Sequence, residues 1–548
     1  MRCTTTIAVL AVLALGPKLS AQHDDHHDTK ANIPDAQLGV VSFENSGARA
    51  AQKDFLRGLA LLHSFMYDQA AASFQKAQKA DPAFAMAYWG EAMTYVHTAW
   101  RQENLAAANT ALDRLAPTRD ARLAKAGTAR ERAYGAAIEA LVAKNLDEAR
   151  RVHAFSDTMH AIAAKYPKDL DARSFAALGG MNVSYLWPAA DPAQRERDHS
   201  ASEALAYGVF KESPKHPGGV HYLIHVNDDP TYASRGLDAA RAYAKVAPDA
   251  DHALHMPSHI FVQLGLWDDA TRSNERAWPA SRTAYASPND PSPSASWHTL
   301  HWLQYSYLQQ GRLREARALI DSARTILGDP PTDYWGDADA RFAVSALLFR
   351  YAAETGDGWA GIAAEATAEG SDVKTPRGAT FTAIARYQAA VAGVMTGDTS
   401  DAHALIQRLG AAASRRPRDE VQIGQLAGLI AIARGDTAAA IAAWQRASVA
   451  EEAIPPLGPP NMLVSHEWLG DLLLKSGKRP EAIAAYQKAL ERRPGRARAL
   501  RALASARAST PLLRFPTACA HRVVNTLSVS AFIRRHGASK PGVDPQQL

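Results

Sequence analysis

Cysteine is almost missing from this chain, with Cys3 and Cys519 its two copies in 548 residues. Cys3 falls inside a leader-like segment, so a single thiol would remain to the mature protein. That excludes a disulfide framework and cysteine metal clusters. Long apolar runs are also lacking. The stretch Ile7–Leu15 is too short to cross a bilayer of about 30 Å, and no later stretch approaches 18 uninterrupted apolar residues. No membrane span is expected. Charge of one sign is scarce, since 61 Lys and Arg stand against 56 Asp and Glu for a formal net charge of +5. Such a balance gives no basic footprint for nucleic acid. No H-E-x-x-H segment occurs, which disfavours ordinary zincin chemistry.

What is present begins with the N-terminus. Met1-Arg2, the apolar run and the small-residue segment Leu19-Ser20-Ala21 predict a secretory signal over residues 1–21. The mature protein is then expected in the periplasm or outside the cell. Its first residues, including His23, His26 and His27 among Asp24, Asp25 and Asp28, form either a metal-capturing or a plain solvated tail. With 47% hydrophobic and 21% charged residues, the remainder has the composition of a packed globular chain.

The segment from Ala51 carries Gly58, Ala70, Phe74, Ala77 and Pro82 at spacings that return near the C-terminus as Leu469, Gly470, Leu473, Ala482, Tyr486, Ala489 and Pro494. Small residues at fixed places let paired helices approach closely, and neighbouring pairs bury the apolar face that one pair cannot bury alone. Weaker copies are GLWDDATRSNERA (Ala270, Asn274, Ala277), GRLREARALIDSA (Ala316, Ile320, Ala323) and GDTAAAIAAWQRA (Ala440, Trp444). Each opens its second helix after a glycine-containing turn. These residues resemble the tetratricopeptide repeat, whose period is about 34 residues. The resemblance implies an all-α fold, an α-solenoid of helical hairpins forming a superhelix with a concave groove. The segments HYLIH and HALHMPSHIF are also similar to segments of secreted bacterial tetratricopeptide-repeat proteins.

On that frame the chain divides into a signal peptide (1–21), a His/Asp-rich linker (22–48), N-terminal repeats (49–116) and a helical repeat-like segment (117–213). His-rich repeats follow at 214–330, interrupted by a Pro/Ser insertion at 279–296 whose prolines are expected to end the helix. C-terminal repeats occupy 331–507, and a basic extension fills 508–548.

The 20 histidines carry the functional signal. His221 and His255, His225 and His259, and His63 and His97 are each 34 residues apart, the repeat period. With Ala70, Ala270 and Ala316 set at position 20, His221, His255 and His301 take position 5, while His225, His259 and Tyr305 take position 9. His252 and His298 take position 2, Asp228 and Asp229 positions 12 and 13, and His63 and His97 position 13. In tetratricopeptide-repeat proteins these positions line the groove, so the resemblance implies that these side chains face inward.

Within a helix, i and i+4 side chains have Cβ atoms about 5–6 Å apart, and packed helices lie about 8–10 Å axis to axis. Two such His pairs on adjacent helices can present nitrogens to zinc or copper at about 2.0–2.1 Å. The expected ligands are His221, His225, His255 and His259, joined by His252, His298 and His301. His63, His97, Asp228, Asp229 and Tyr305 form a second tier. Pro257 is expected to kink its helix beside them. His153, His160, His199, His403 and His466 share no register and are expected to be surface or packing residues.

Two functions are open to such a chain. One is an extracytoplasmic solenoid holding copper or zinc, with oxidoreductase or hydrolase chemistry if a coordination position stays open. The other is a metal-free scaffold that holds a peptide, a partner protein or a small molecule in its groove. Tetratricopeptide arrays that clamp a peptide carboxylate use Lys, Arg and Asn at groove positions, whereas here two repeats place imidazoles there.

Overall fold

The computed structural model describes residues 37–97, 99, 102–186, 191–284, 296–327, 338–362 and 376–508. The expected leader 1–21, residues 22–36 of the linker, residues 285–295 of the insertion, 509–548 of the extension, Trp100 and Trp187 lie outside the described residues.

Among the described residues the chain is a succession of α-helices, most of them packed on the next. The first turn of the superhelix runs α1 (Gln52–His63), α2 (Tyr67–Ala80), α3 (Ala85–Met93), α4 (Leu105–Leu115), α5 (Arg119–Ala124), α6 (Ala129–Leu141), α7 (Glu148–Lys165), α8 (Leu170–Leu186) and α9 (Pro192–Glu212). The histidine-bearing middle comprises α10 (Pro217–Val226), α11 (Leu237–Val246), α12 (Asp251–His255), α13 (Pro257–Gln263), α14 (Trp267–Ala284), α15 (Trp297–Gln309) and α16 (Leu313–Leu327). Then come α17 (Ala338–Thr355), α18 (Pro376–Thr396), α19 (Ser400–Gly410), α20 (Pro417–Ala433), α21 (Thr437–Glu452), α22 (Ser465–Lys475), α23 (Arg479–Arg492) and α24 (Ala497–Arg507). The expected all-α solenoid is what the chain forms.

The packing rule behind the pairs is visible at three places. Phe74, Trp444 and Tyr486 each press on a glycine sixteen residues earlier, Gly58, Gly428 and Gly470, where an added Cβ would sit 2.5–2.9 Å from the ring. Only glycine admits such an approach. The turns between paired helices obey a second rule. Gly265, Gly311, Gly397, Gly435 and Gly477 have φ between 69° and 102°, and each stands five residues before a buried alanine of the following helix. The sixth such turn places Phe65 there, five residues before Ala70, at φ 55°. It is the one non-glycine with positive φ among the described residues.

Several expectations are corrected. The linker 22–48 is not all linker: Leu38 and Phe43 are buried, and the Phe43 ring packs on Phe55, Trp89 and Tyr134. The insertion does not begin at Pro279, because α14 runs through that proline to Ala284. One missing N–H near a helix end costs a single backbone bond, which the flanking packing sustains. His97 is not on a helix but in a two-stranded ribbon, Val96–His97 against Gln102–Glu103.

The superhelix closes on itself twice. α1 meets α10, so residues 158 apart in sequence become neighbours at His63 and His221. Further on, Trp267 Nε1 donates to Gly495 O (2.8 Å), Ala497 N donates to Gln309 Oε1 (2.9 Å), and Gly458 approaches the Trp302 ring. Buried Arg496 fastens this contact through Glu467 (2.6 and 2.9 Å) and Glu354 (2.6 Å). The middle repeats are thereby enclosed from both ends. Among the described residues no helix is long and apolar enough to cross a membrane.

Candidate metal centre

Local sequence sets the helices that bear the histidines. His216 caps α10, its Nδ1 accepting the Gly219 N–H at 3.3 Å, and Pro217 occupies the first helical position. His221 and His225 then lie one turn apart on one face. The next bearing segment is broken as expected: α12 ends at His255 and α13 starts at Pro257, which has no N–H to continue the ladder. α15 starts from Ser296, whose side chain accepts the Thr299 N–H at 3.2 Å and so fixes His298 in the first turn.

The structure does not gather His221, His225, His255 and His259 into one quartet. It forms two triads, His221–His225–His252 and His255–His259–His298, in each of which nitrogens converge within 4.8 Å. In the second triad His255 Nε2 lies 3.1 Å from His259 Nε2, and His298 Nε2 lies 3.4 Å from the same atom. Tetrahedral ligands on a metal with bonds of about 2.0–2.1 Å stand about 3.3–3.4 Å apart, a spacing close to these distances, which also suit an N–H···N hydrogen bond. In the first triad His221 Nε2 lies 3.0 Å from His252 Nε2, and the buried His225 Nε2 has no hydrogen-bond partner.

The other nitrogen of each ring decides where its proton sits. His255 Nδ1 is 2.6 Å from Asn274 Oδ1, and the orientation of that amide is fixed because Asn274 Nδ2 donates to Ala270 O at 2.8 Å. His259 Nδ1 is 2.6 Å from Asp228 Oδ2, and Asp228 Oδ1 accepts from Gln263 Nε2 at 2.9 Å. Each Nδ1 therefore donates, and each Nε2 offers a lone pair. Two acceptors aimed at each other in a buried place are unfavourable unless a cation lies between them. Asp228–His259 is the carboxylate–histidine arrangement that orients and enriches a metal ligand. In the first triad His221 Nδ1 donates to His63 O at 2.6 Å, again freeing Nε2.

Burial supports the neutral ring. It pushes the His225 and His255 imidazoles down to about 3, and holds His221 and His252 well below the ordinary histidine range, with neighbouring imidazoles adding to the effect. At Asp228 burial alone would raise the pKa. The His259 ring beside it and the hydrogen bonds from His259 and Gln263 outweigh it, so the carboxyl titrates below its usual range. Two aromatic walls confine the triads. Trp302 stacks on His259 with ring centroids 4.0 Å apart, and Phe65 meets His221, His252 and His225 at 4.5, 5.4 and 5.6 Å. An aromatic residue held at positive φ stores strain of about 1–3 kcal/mol, which the ring's burial against the histidines offsets.

The remaining expected residues lie elsewhere. His301 turns its Nδ1 to Arg350 (3.4 Å), and Tyr305 contacts Arg496 through its hydroxyl (3.3 Å). Asp229 accepts from Thr231 N in its own turn at 2.8 Å. His97 stacks on Tyr67 at 3.7 Å and bonds Thr94 O. His63 reaches the first triad with its carbonyl only, because its ring belongs to a third group. There His63 Nε2 lies 2.8 Å and His216 Nε2 3.3 Å from Asp171 Oδ1, with His63 Nδ1 3.0 Å from Tyr222 Oη. Asp171, Asn274, Gln263 and Phe65 were not expected at the site. Only Phe65 had a sequence signal, as the aromatic standing where the other turns have glycine.

Residues 465–496 match the family model described as a tetratricopeptide repeat. No curated protein matches the sequence. Among solved structures the chain is similar to the APC/C hetero-tetramer Cut9–Hcn1, at 11% identity and TM-score 0.30, covering 86% of this chain and 79% of that one. Yeast Tom70 is similar at 10% identity and TM-score 0.29, covering 83% and 88%. Likenesses at such scores carry no argument about this chain's activity. Residues 465–496 are thus a tetratricopeptide repeat within an all-α solenoid of stacked helix pairs along the described length.

Proposed function

We propose that this protein is an extracytoplasmic solenoid that binds copper or zinc on the inner wall of its middle repeats and uses it for redox or hydrolytic chemistry. The observation that carries the reading is the opposition of the His255 and His259 Nε2 atoms at 3.1 Å while both Nδ1 protons are committed to Asn274 and Asp228. The His255–His259–His298 triad supplies three imidazoles, a donor set suited to zinc and copper. His298 is exposed, so the triad opens to solvent on that side, where a fourth position would take water or substrate. A proton is the competing occupant. Imidazolium at His259, paired with Asp228, would donate to His255, but one N–H cannot point at both His255 and His298.

Elemental analysis of tag-free protein, beside its His259→Ala variant, tests the reading. Near-stoichiometric copper or zinc that the variant loses is expected, together with a lower melting temperature after chelator treatment of the parent. Parent protein that remains without metal after incubation with either ion, and is indifferent to chelator, would overturn it and leave a metal-free scaffold.

A further inference from the structure

The two triads share too much structure to be independent. His252 and His255 stand on one helical segment, three residues apart, yet serve different triads. His225 of the first lies 6.0 Å from His259 of the second, ring centroid to centroid, and His252 lies 6.2 Å from His255. Rings this close leave no room for another side chain between the triads. Each triad has its own aromatic wall, Phe65 against the first and Trp302 against the second. The six imidazoles are linked ring to ring through His225–His259 and His252–His255.

We infer that the two triads together build a dinuclear centre, one ion in His221–His225–His252 and a second in His255–His259–His298, sharing a bridging ligand. This rests on the metal-binding reading above and extends it from a single ion to a coupled pair. Charge identifies the bridge. Two divalent ions bring four positive charges to a set of six imidazoles, to which Asp228 contributes a carboxylate at His259. At close range in a poorly solvated place that repulsion is large, and an anion between the ions reduces it. Water supplies such an anion by releasing one proton to solvent and remaining as hydroxide, since metal coordination brings the pKa of bound water toward about 7. Two-metal sites commonly hold their ions about 3.5–4 Å apart and use the bridge or an adjacent open position on an oxygen-bearing substrate. The exposed His298 marks the side from which that substrate would arrive.

Loading with Cu(II) alone distinguishes the pair from a single ion. Full-length protein, freed of metal and then dialysed against Cu(II), is measured for copper per chain and for unpaired spins by electron paramagnetic resonance. The expected result is two copper ions per chain with a spin count well below the copper count, because bridged ions couple. His252→Ala and the exposed His298→Ala are each expected to retain one ion with its full spin, and circular dichroism of the metal-free variants checks that they fold. Two ions whose spins account for all the copper would overturn the shared centre. One ion in the parent would overturn the pair and leave the single-ion reading standing. No copper at all would overturn both.

Discussion

The His255–His259–His298 triad and the His63–Asp171–His216 group are both histidine-rich, but their protons are arranged in opposite ways. At Asp171 the rings serve a carboxylate. His216 Nδ1 accepts from Gly219 N, so its proton sits on Nε2, 3.3 Å from Asp171 Oδ1, and His63 Nε2 lies 2.8 Å from the same oxygen. Burial would raise the Asp171 pKa, yet the two imidazoles beside it hold the carboxyl well below its usual range. Here ring nitrogens face a carboxylate oxygen, although the buried Asp171 Oδ2 and His216 Nε2 have no hydrogen-bond partner. In the triad, lone pairs meet lone pairs. A count of histidines does not separate the two groups. The partner on the far side of each ring does.

That contrast gives a series of measurements. The largest effect is expected from His259→Ala, which should remove the ion held by its own triad, while His63→Ala should leave metal content unchanged; equal loss in both would erase the distinction. In denaturant titrations the order reverses. His63→Ala leaves the Asp171 carboxylate short of a partner and should destabilise metal-free protein by about 3–5 kcal/mol. Asp228→Asn keeps the ligands but loses the carboxylate behind His259, and competition with a chelator should show affinity weakened about 10–100-fold.

Acid should act on metal-free protein in a defined direction. His221, His225, His252 and His255 titrate below their unfolded value of 6.5. The unfolded chain then binds more protons, so their contribution is full above pH 6.5 and is lost as pH falls toward the value of about 3 found at His225 and His255. Asp251, pushed up to about 6 by burial, works in the opposite sense between 3.8 and that value, one group against several. A falling melting temperature from pH 7 to pH 5 is expected, and a flat profile would contradict neutral burial of the rings. The smallest effect belongs to His403→Ala. That ring bonds Thr399 O and Arg434 on a distant repeat, and its loss should not alter metal content.

Much of the fold was legible because its rules are local and repeat. Gly58 with Phe74 and Gly470 with Tyr486 state the same helix approach in two places, and a glycine turn five residues before a small alanine recurs along the chain. The period also selected the correct helices for His221, His225, His255 and His259. It did not select the grouping. A strict 34-residue frame places His301 and His97 beside them, but the kink at Pro257 and the excursion into a strand at Val96–His97 break the frame locally. The capped start of α15 meanwhile turns His298, rather than His301, toward His259.

The sequence by itself determined the all-α solenoid, the i, i+4 spacing of the histidine pairs and the scarcity of cysteine. Those follow from spacing and composition, which act within a helix or between neighbours. Tertiary structure alone decided that there are two triads rather than a quartet, and that Asn274 and Asp228 take the Nδ1 protons. It alone placed Asp171 between the His63 and His216 rings. The reason is physical: a ring's tautomer is set by whichever acceptor the fold brings to its far side, and superhelical closure delivers those acceptors from helices that no local spacing connects.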